Sequence, residues 1–207
     1  ALSAIQSPDG WQAMGILRDI SERKRLEAEI IHLATHDALT GLPSKRLADD
    51  RMEAAIAMAR RYTTKVAVFF FDLDGFKEVN DKYGHMSGDV VLKRVAETVR
   101  LAVRETDTVA RVGGDEFWVI ATNLHAAQEA ELIARKIISA ISQPISFPGG
   151  QAQVGASVGI AIYPDDSEYS EQLIKLADKA MYGVKRSGKN GYAFANSSFC
   201  LDTKLSR

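Results

Sequence analysis

The sequence predicts an α+β domain, a mainly antiparallel central sheet with surrounding helices. Three observations carry this. The nearly continuous apolar run Val66 to Phe71 reads as a strand buried on both faces. Residues 108–113 and 117–122 read as two strands joined through a glycine turn, a β-hairpin. Around these strands, apolar residues recur at helical spacing. The order strand, two helices, hairpin, helix, strand, helix is a variant of the split βαβ pattern, with the helices expected on one side of the sheet.

Taken in order, Trp11-Gln-Ala-Met-Gly-Ile-Leu-Arg-Asp-Ile20 reads as one strand after a Pro8-Asp9-Gly10 turn. From Ser21 the composition turns helical and charged. Leu26, Ile30 and Leu33 follow a four-three spacing that fits either a short coiled-coil seam or an amphipathic helix on its own domain. Gly41 and Pro43 end that helix. A helix is expected over 45–61, a strand over 65–71, and a short helix marked by Phe76, Val79 and Tyr83. Val91, Val95, Val99 and Ala102 mark a longer helix, and Ile133, Ile137 and Ile141 another. Val154 to Ile162 reads as a strand whose small residues Gly155, Ala156 and Gly159 invite close packing. Ala177, Ala180, Met181 and Val184 mark the last helix.

The 207 residues are 46% apolar and 26% charged, with a formal net charge of −1. That is an ordinary balance for a globular chain and offers no basic field for nucleic acid. One cysteine, Cys200, permits neither a disulfide framework nor a thiolate metal site. The four histidines lack zinc-helix spacing, and no apolar stretch approaches the ~18 residues needed to cross a bilayer. A cytoplasmic location without membrane contact from this segment is expected, and Asn196-Ser-Ser198 reads as solvated tail. The opening reads as the end of something longer, whose upstream part can carry a membrane anchor.

Two acidic clusters carry the chemistry. Asp72 and Asp74 close the apolar strand, and alternation puts both on one face with Leu73 on the other. Asp74 can alternatively cap the helix near Phe76. The turn Gly113-Gly-Asp-Glu-Phe117 combines glycines that free the backbone for a phosphate or base with the acids Asp115 and Glu116. Carboxylates at buried strand tips need partners, and hard divalent cations suit them. Gly183-Val-Lys-Arg-Ser-Gly-Lys-Asn190 nearly spells a phosphate-binding P-loop. It follows a helix, and Asn190 stands where a magnesium-binding hydroxyl is required, so that reading is rejected.

Together Phe71-Asp-Leu-Asp-Gly-Phe-Lys77, Asn80-Asp-Lys-Tyr-Gly-His85, Gly88-Asp89 and Gly113-Gly-Asp-Glu-Phe117 resemble the signature blocks of the GGDEF family of diguanylate cyclases. Asp37-Ala-Leu-Thr-Gly-Leu-Pro43 resembles that family's opening motif, and residues 1–25 resemble the end of a PAS sensor domain. The resemblance implies a ferredoxin- or palm-like nucleotide cyclase fold. It also implies four segments: the end of a PAS domain at 1–20, a helical linker at 21–36, a GGDEF domain at 37–195 and a flexible tail at 196–207.

The implied reaction condenses two GTP to cyclic di-GMP and two pyrophosphates across a homodimer, one GTP per subunit. Asp72, the Leu73 carbonyl, Asp115 and Glu116 would hold two Mg²⁺ (or Mn²⁺) per active site. Asp115 and Glu116 would be catalytic, Asp115 helping to activate the ribose 3′-hydroxyl. Phe76 and Lys77 would lie by the phosphates, with Lys185 and Lys189 clamping the terminal ones, and Gly113 and Gly114 would also bind the substrate. Asn80 and Asp89 would read guanine. The plain alternatives are a helix cap for Asp89 and a solvated helix end for the two lysines. Arg104 and Asp107 stand at the spacing of the family's inhibitory site for cyclic di-GMP. Ser44-Lys45 and Trp118 depart from the family's usual residues, but no implied ligand is lost. The rival reading is a non-catalytic module that binds GTP or cyclic di-GMP.

Overall fold

The computed structural model describes residues 2–7, 10–15 and 19–196, which fall into two units, Ala1–Ala34 and Thr35–Arg207. In the first, β1 (Leu2–Ser7) and β2 (Gly10–Gly15) pair antiparallel. Gly10 takes the left-handed φ of 121° at the turn, where a side chain would be strained. The single strand expected over 11–20 includes the second arm of a hairpin, Gly10–Gly15, and its residues 16–18 lie outside the described ones. The helix α1 (Ser21–Thr35) starts where Asp19 Oδ1 accepts from the Ser21 amide at 2.8 Å, covering one of the unpaired first-turn N–H groups. Leu26, Ile30 and Leu33 are exposed on it.

The second unit runs α2 (Lys45–Tyr62), β3 (Lys65–Asp74), α3 (Phe76–Tyr83), α4 (His85–Ala102), β4 (Thr108–Gly113), β5 (Glu116–Leu124), α5 (Ala127–Ile141), β6 (Ile145–Phe147), β7 (Gly150–Ala152), β8 (Gly155–Tyr163), α6 (Ser170–Arg186) and β9 (Gly191–Phe194). The main sheet has the order β4-β5-β3-β8-β9; its pairings are antiparallel except β8 with β9. β3 is central, and all its residues from Val66 to Leu73 are buried, as its unbroken apolar run required.

The helices cover both faces of this sheet rather than the one side expected. Phe69, Phe71, Phe117 and Val119 face a core completed by α4 and α5. Val68, Phe70, Trp118 and Ile120 face a second core closed by α2 and α6. A strand apolar at every position needs cover on both sides, and each large buried side chain contributes about 1.5–3 kcal/mol. Where α6 crosses β8, a Cβ on Gly159 would stand 1.8 Å from the Ala177 carbonyl oxygen. That glycine therefore lets helix and sheet touch by backbone, as its place in the sequence suggested. The hairpin β6–β7 and the edge strand β9 were not foreseen. From residue 197 on, the expected tail and Cys200 lie outside the described residues.

Candidate active site

The site forms where the central strand ends. β3 pairs with β5 so that Asp72 lies opposite Glu116, and with β8 so that Asp72 lies opposite Ser157 and Asp74 opposite Gly155. Directly opposed residues share a face, so register alone brings Asp72 and Glu116 together from distant parts of the chain. The β4–β5 turn adds Asp115, whose carbonyl accepts from the Leu73 amide at 3.3 Å. Gly114 holds φ 38° there, and both turn glycines are exposed.

Asp72 is buried, and Lys185 from the last turn of α6 places its Nζ 2.7 Å from Oδ2. Burial pushes the Asp72 carboxyl above its usual value; the Lys185 bond pulls it back, and Asp115 and Asp74 push it up again. Glu116 is also raised, first by burial and then by Asp72, Asp115 and Asp178, with Lys185 opposing. Burial and mutual repulsion thus raise both carboxyls, a perturbation that a bound cation would relieve. Among the described residues, no group of three His, Cys, Asp or Glu side chains converges as a ready metal nest. What the strand tips offer instead is hard oxygen, the paired carboxylates of Asp72 and Glu116 next to the turn that carries Asp115, a donor type that fits Mg²⁺ completed by substrate phosphates.

The remaining expected residues divide. The Phe76 ring is buried in the core, so it would face a phosphate with its backbone at the α3 N-terminus; Lys77 beside it is exposed. Asn80 lies against α4 at Gly88, where a Cβ would stand 2.0 Å from Asn80 Oδ1. Asp89 follows Gly88 on α4 and is exposed. Asp89 is not a helix cap, because α4 already begins at His85 with Gly84 before it. Nor does Asp74 cap α3: Gly75 precedes that helix, and the Asp74 carboxylate accepts from Ser157 Oγ and the Asn190 amide. Lys189 is exposed, in the left-handed backbone after α6.

Arg104 and Asp107 line a separate cavity of about 640 Å³ together with Arg51 and Arg100. Asp107 is committed to the backbone, accepting from the Arg104 amide at 3.0 Å and the Thr122 amide at 3.2 Å. The Arg104 guanidinium lies 3.6 Å from Glu129. Sequence reasoning missed Arg111, which holds both the Gly114 carbonyl and Asp37, and it missed Asp178 beside Glu116. Arg111 was legible as a lone cation in an apolar strand next to the glycine turn; Asp178, exposed on α6, gave no such signal.

The family described as "Diguanylate cyclase, GGDEF domain" matches residues 34–191. The chain is 48% identical over 174 residues to the bifunctional diguanylate cyclase/cyclic di-GMP phosphodiesterase MucR of Pseudomonas aeruginosa, covering 84% of this chain and 25% of that one. It therefore spans about a quarter of that relative's length. The solved GGDEF domain of TpbB from P. aeruginosa is similar with a TM-score of 0.76 at 38% identity, covering 78% of this chain and 94% of that one. The coiled coil and GGDEF domain of DgcB from Caulobacter crescentus, solved with c-di-GMP, is similar with a TM-score of 0.74 at 29% identity over 84% of this chain and 92% of that one.

Proposed function

Because the chain belongs to the GGDEF family of diguanylate cyclases, we propose that it condenses two GTP into cyclic di-GMP and two pyrophosphates. The observation that carries this reading is the strand register that sets Asp72 opposite Glu116, next to Asp115 of the glycine turn, with Lys185 2.7 Å from Asp72. In each half-reaction the 3′-oxygen of one GTP forms a bond to the α-phosphorus of the other. The bond from that phosphorus to the β-phosphate's bridging oxygen breaks, and pyrophosphate leaves; the second half-reaction closes the ring.

Asp115 takes the 3′-hydroxyl proton at its carboxylate. Asn80 and Asp89 orient guanine, whose N–H donors a carboxylate accepts. Lys185 and Lys189 neutralise the β- and γ-phosphates, and the exposed Gly113-Gly114 backbone lets them approach. Asp72, the Leu73 carbonyl, Asp115 and Glu116 would hold Mg²⁺ or Mn²⁺. Such ions lower the pKa of a bound hydroxyl and offset leaving-group charge.

Each subunit holds one GTP, so turnover needs two copies face to face. The exposed Leu26, Ile30 and Leu33 of α1 suit a paired linker between them. Upstream, residues 1–20 would be the end of a PAS sensor, relaying its signal through that helix. Among the described residues no helix is long and apolar enough to cross a membrane. A cytoplasmic site of action follows from the substrate, GTP.

Incubation of purified protein with GTP and Mg²⁺, followed by chromatography, should yield cyclic di-GMP, and Asp115→Ala should abolish it. Nucleotide binding without turnover would favour the regulatory module instead. Turnover that persisted in Asp115→Ala would remove the assignment of that residue.

A further inference from the structure

The strand β3 carries two acids on one face, and only Asp72 has a place in the chemistry above. Asp74 is engaged at the same end of α6 by a different route. Ser157 Oγ, fully buried on β8, donates to both of its oxygens at 2.9 Å, and the Asn190 amide donates to Oδ2 at 2.9 Å. Asn190 is itself tied down: its Oδ1 accepts from the Ala156 amide at 3.4 Å and from Ser142 Oγ at 3.1 Å. Gly155 makes room for it, since a Cβ there would stand 2.9 Å from Asn190 Oδ1.

The backbone so held is strained. Gly188, Lys189 and Asn190 have φ of 124°, 64° and 47°, three successive residues in the left-handed region. Such a run persists only where its surroundings over-determine it, which a lysine in particular does not do for itself. The Lys189 amide donates to the Val184 carbonyl at 3.1 Å, closing the segment back on α6. Neighbouring acids of β3 thus grip one helix end twice, Asp72 through the Lys185 ammonium and Asp74 through the Asn190 amide.

We infer that Asp74, with Ser157 and Asn190, is a positioning latch that fixes the segment 187–190 so that Lys189 meets the terminal phosphates of the nucleotide. This rests on the proposed function, because it takes Lys185 and Lys189 as the phosphate clamp. The near-P-loop spelling of 183–190 thereby acquires a purpose: Asn190 holds no magnesium but anchors the loop that presents the lysine. The guanine end, at Asn80 and Asp89, lies on α3 and α4 and is not touched by the latch.

The test is calorimetry of GTP and GMP binding to wild type, Asp74→Ala, Lys189→Ala and the double variant. Losing one charge-assisted anchor should weaken GTP by roughly tenfold and leave GMP unchanged. Lys189→Ala should do the same, and the double variant should lose no more than Lys189→Ala alone. A merely structural Asp74 would weaken GMP equally, or add its loss to that of Lys189→Ala; either result overturns the latch, as does unaltered GTP binding. Should Asp74→Ala fail to fold, Asp74→Asn and Ser157→Ala replace it, with a loss of GTP affinity again confined to the triphosphate. Wild-type protein that bound no GTP would instead remove the functional reading, and the latch with it.

Discussion

Arg111 donates to both carboxylate oxygens of Asp37, at 3.0 and 3.2 Å, while its remaining guanidinium N–H groups hold the Gly114 carbonyl at 2.9 and 2.7 Å. One side chain thereby fastens the loop before α2 to the glycine turn that presents Asp115. The pair is mostly enclosed, with side-chain exposures of 13% and 25%. Asp37 also accepts from the Thr40 amide at 2.9 Å and its hydroxyl at 2.6 Å.

Replacing Arg111 by alanine should lower stability by about 1–3 kcal/mol, since it leaves a half-buried carboxylate and a carbonyl short of donors. Arg111→Lys should rescue little, because an ammonium cannot serve Asp37 and Gly114 in one planar fork. Urea unfolding should show a lower midpoint for both variants, and turnover should fall with the loosened turn. A lysine variant with wild-type midpoint and activity would contradict this.

The same pair has a pH signature. Burial raises the Asp37 carboxyl, but the Thr40 bonds and Arg111 outweigh it, so its folded value lies below the reference of 3.8. A depressed carboxylate contributes stability that is complete above its unfolded pKa and lost as pH falls through the lower folded value. Acid titration of wild type and Asp37→Asn should therefore show curves separated at neutral pH that converge below about pH 4. Parallel curves down to pH 2 would mean that Asp37 does not titrate as described.

How far the sequence revealed this architecture depended on how local each signal was. The helix expected over 45–61 is found at Lys45–Tyr62, because its apolar stripe is set by i, i+4 neighbours. The expected strand 65–71 continues to Asp74, since the acids are held in the sheet by β5 and β8, partners far off in the chain. The strand β9 is four residues in a parallel pairing, and β6 and β7 are three residues each around Pro148 and Gly149. Nothing in so short a stretch distinguishes a strand from a loop. The acids of the site were legible as charges ending apolar runs. The Asp74–Ser157–Asn190 link was not, because a serine in an apolar strand looks the same whether or not an acid faces it.

Glu116 is held above its reference of 4.5 by burial and by neighbouring acids. A raised carboxyl means the folded protein binds more protons than the unfolded one, so stability falls as pH rises from 4.5 through the folded value. At neutral pH and without divalent metal, Glu116→Gln should be more stable than wild type, by at most about 1 kcal/mol given its partial exposure. Millimolar Mg²⁺ should raise the wild-type melting temperature and narrow that gap. Calorimetric melts in chelator and in Mg²⁺ check both, and a variant less stable than wild type in chelator would refute the account.

Gly88 tests the guanine end. A Cβ there would stand 2.0 Å from Asn80 Oδ1 and 3.2 Å from Phe76 Cζ, so alanine must drive Asn80 from its place. Alanine itself gains about 1 kcal/mol of helix propensity over glycine, which offsets part of the clash. The expected result is near-unchanged melting with GTP and GMP both weakened about tenfold or more, the loss of one or two base contacts. Equal nucleotide affinity in Gly88→Ala would show that Asn80 is not needed for the base.

Arg104 and Asp107 share a cavity but are held differently, and that separates their variants. Asp107 joins the α4–β4 loop to β5 through the Thr122 amide, so Asp107→Ala should lower the melting temperature as well as any affinity for cyclic di-GMP. Arg104 is 59% exposed and only 3.6 Å from Glu129, an ion pair worth little in water. Its guanidinium is therefore available to turn from Glu129 to a phosphate or guanine edge, where a paired fork binds more strongly than a surface carboxylate. Arg104→Ala should keep the wild-type melting temperature yet weaken cyclic di-GMP by about tenfold or more in calorimetry. An Arg104→Ala protein that bound the dinucleotide as wild type does would move the product site elsewhere, and the cavity with Arg51 and Arg100 would lose its assigned ligand.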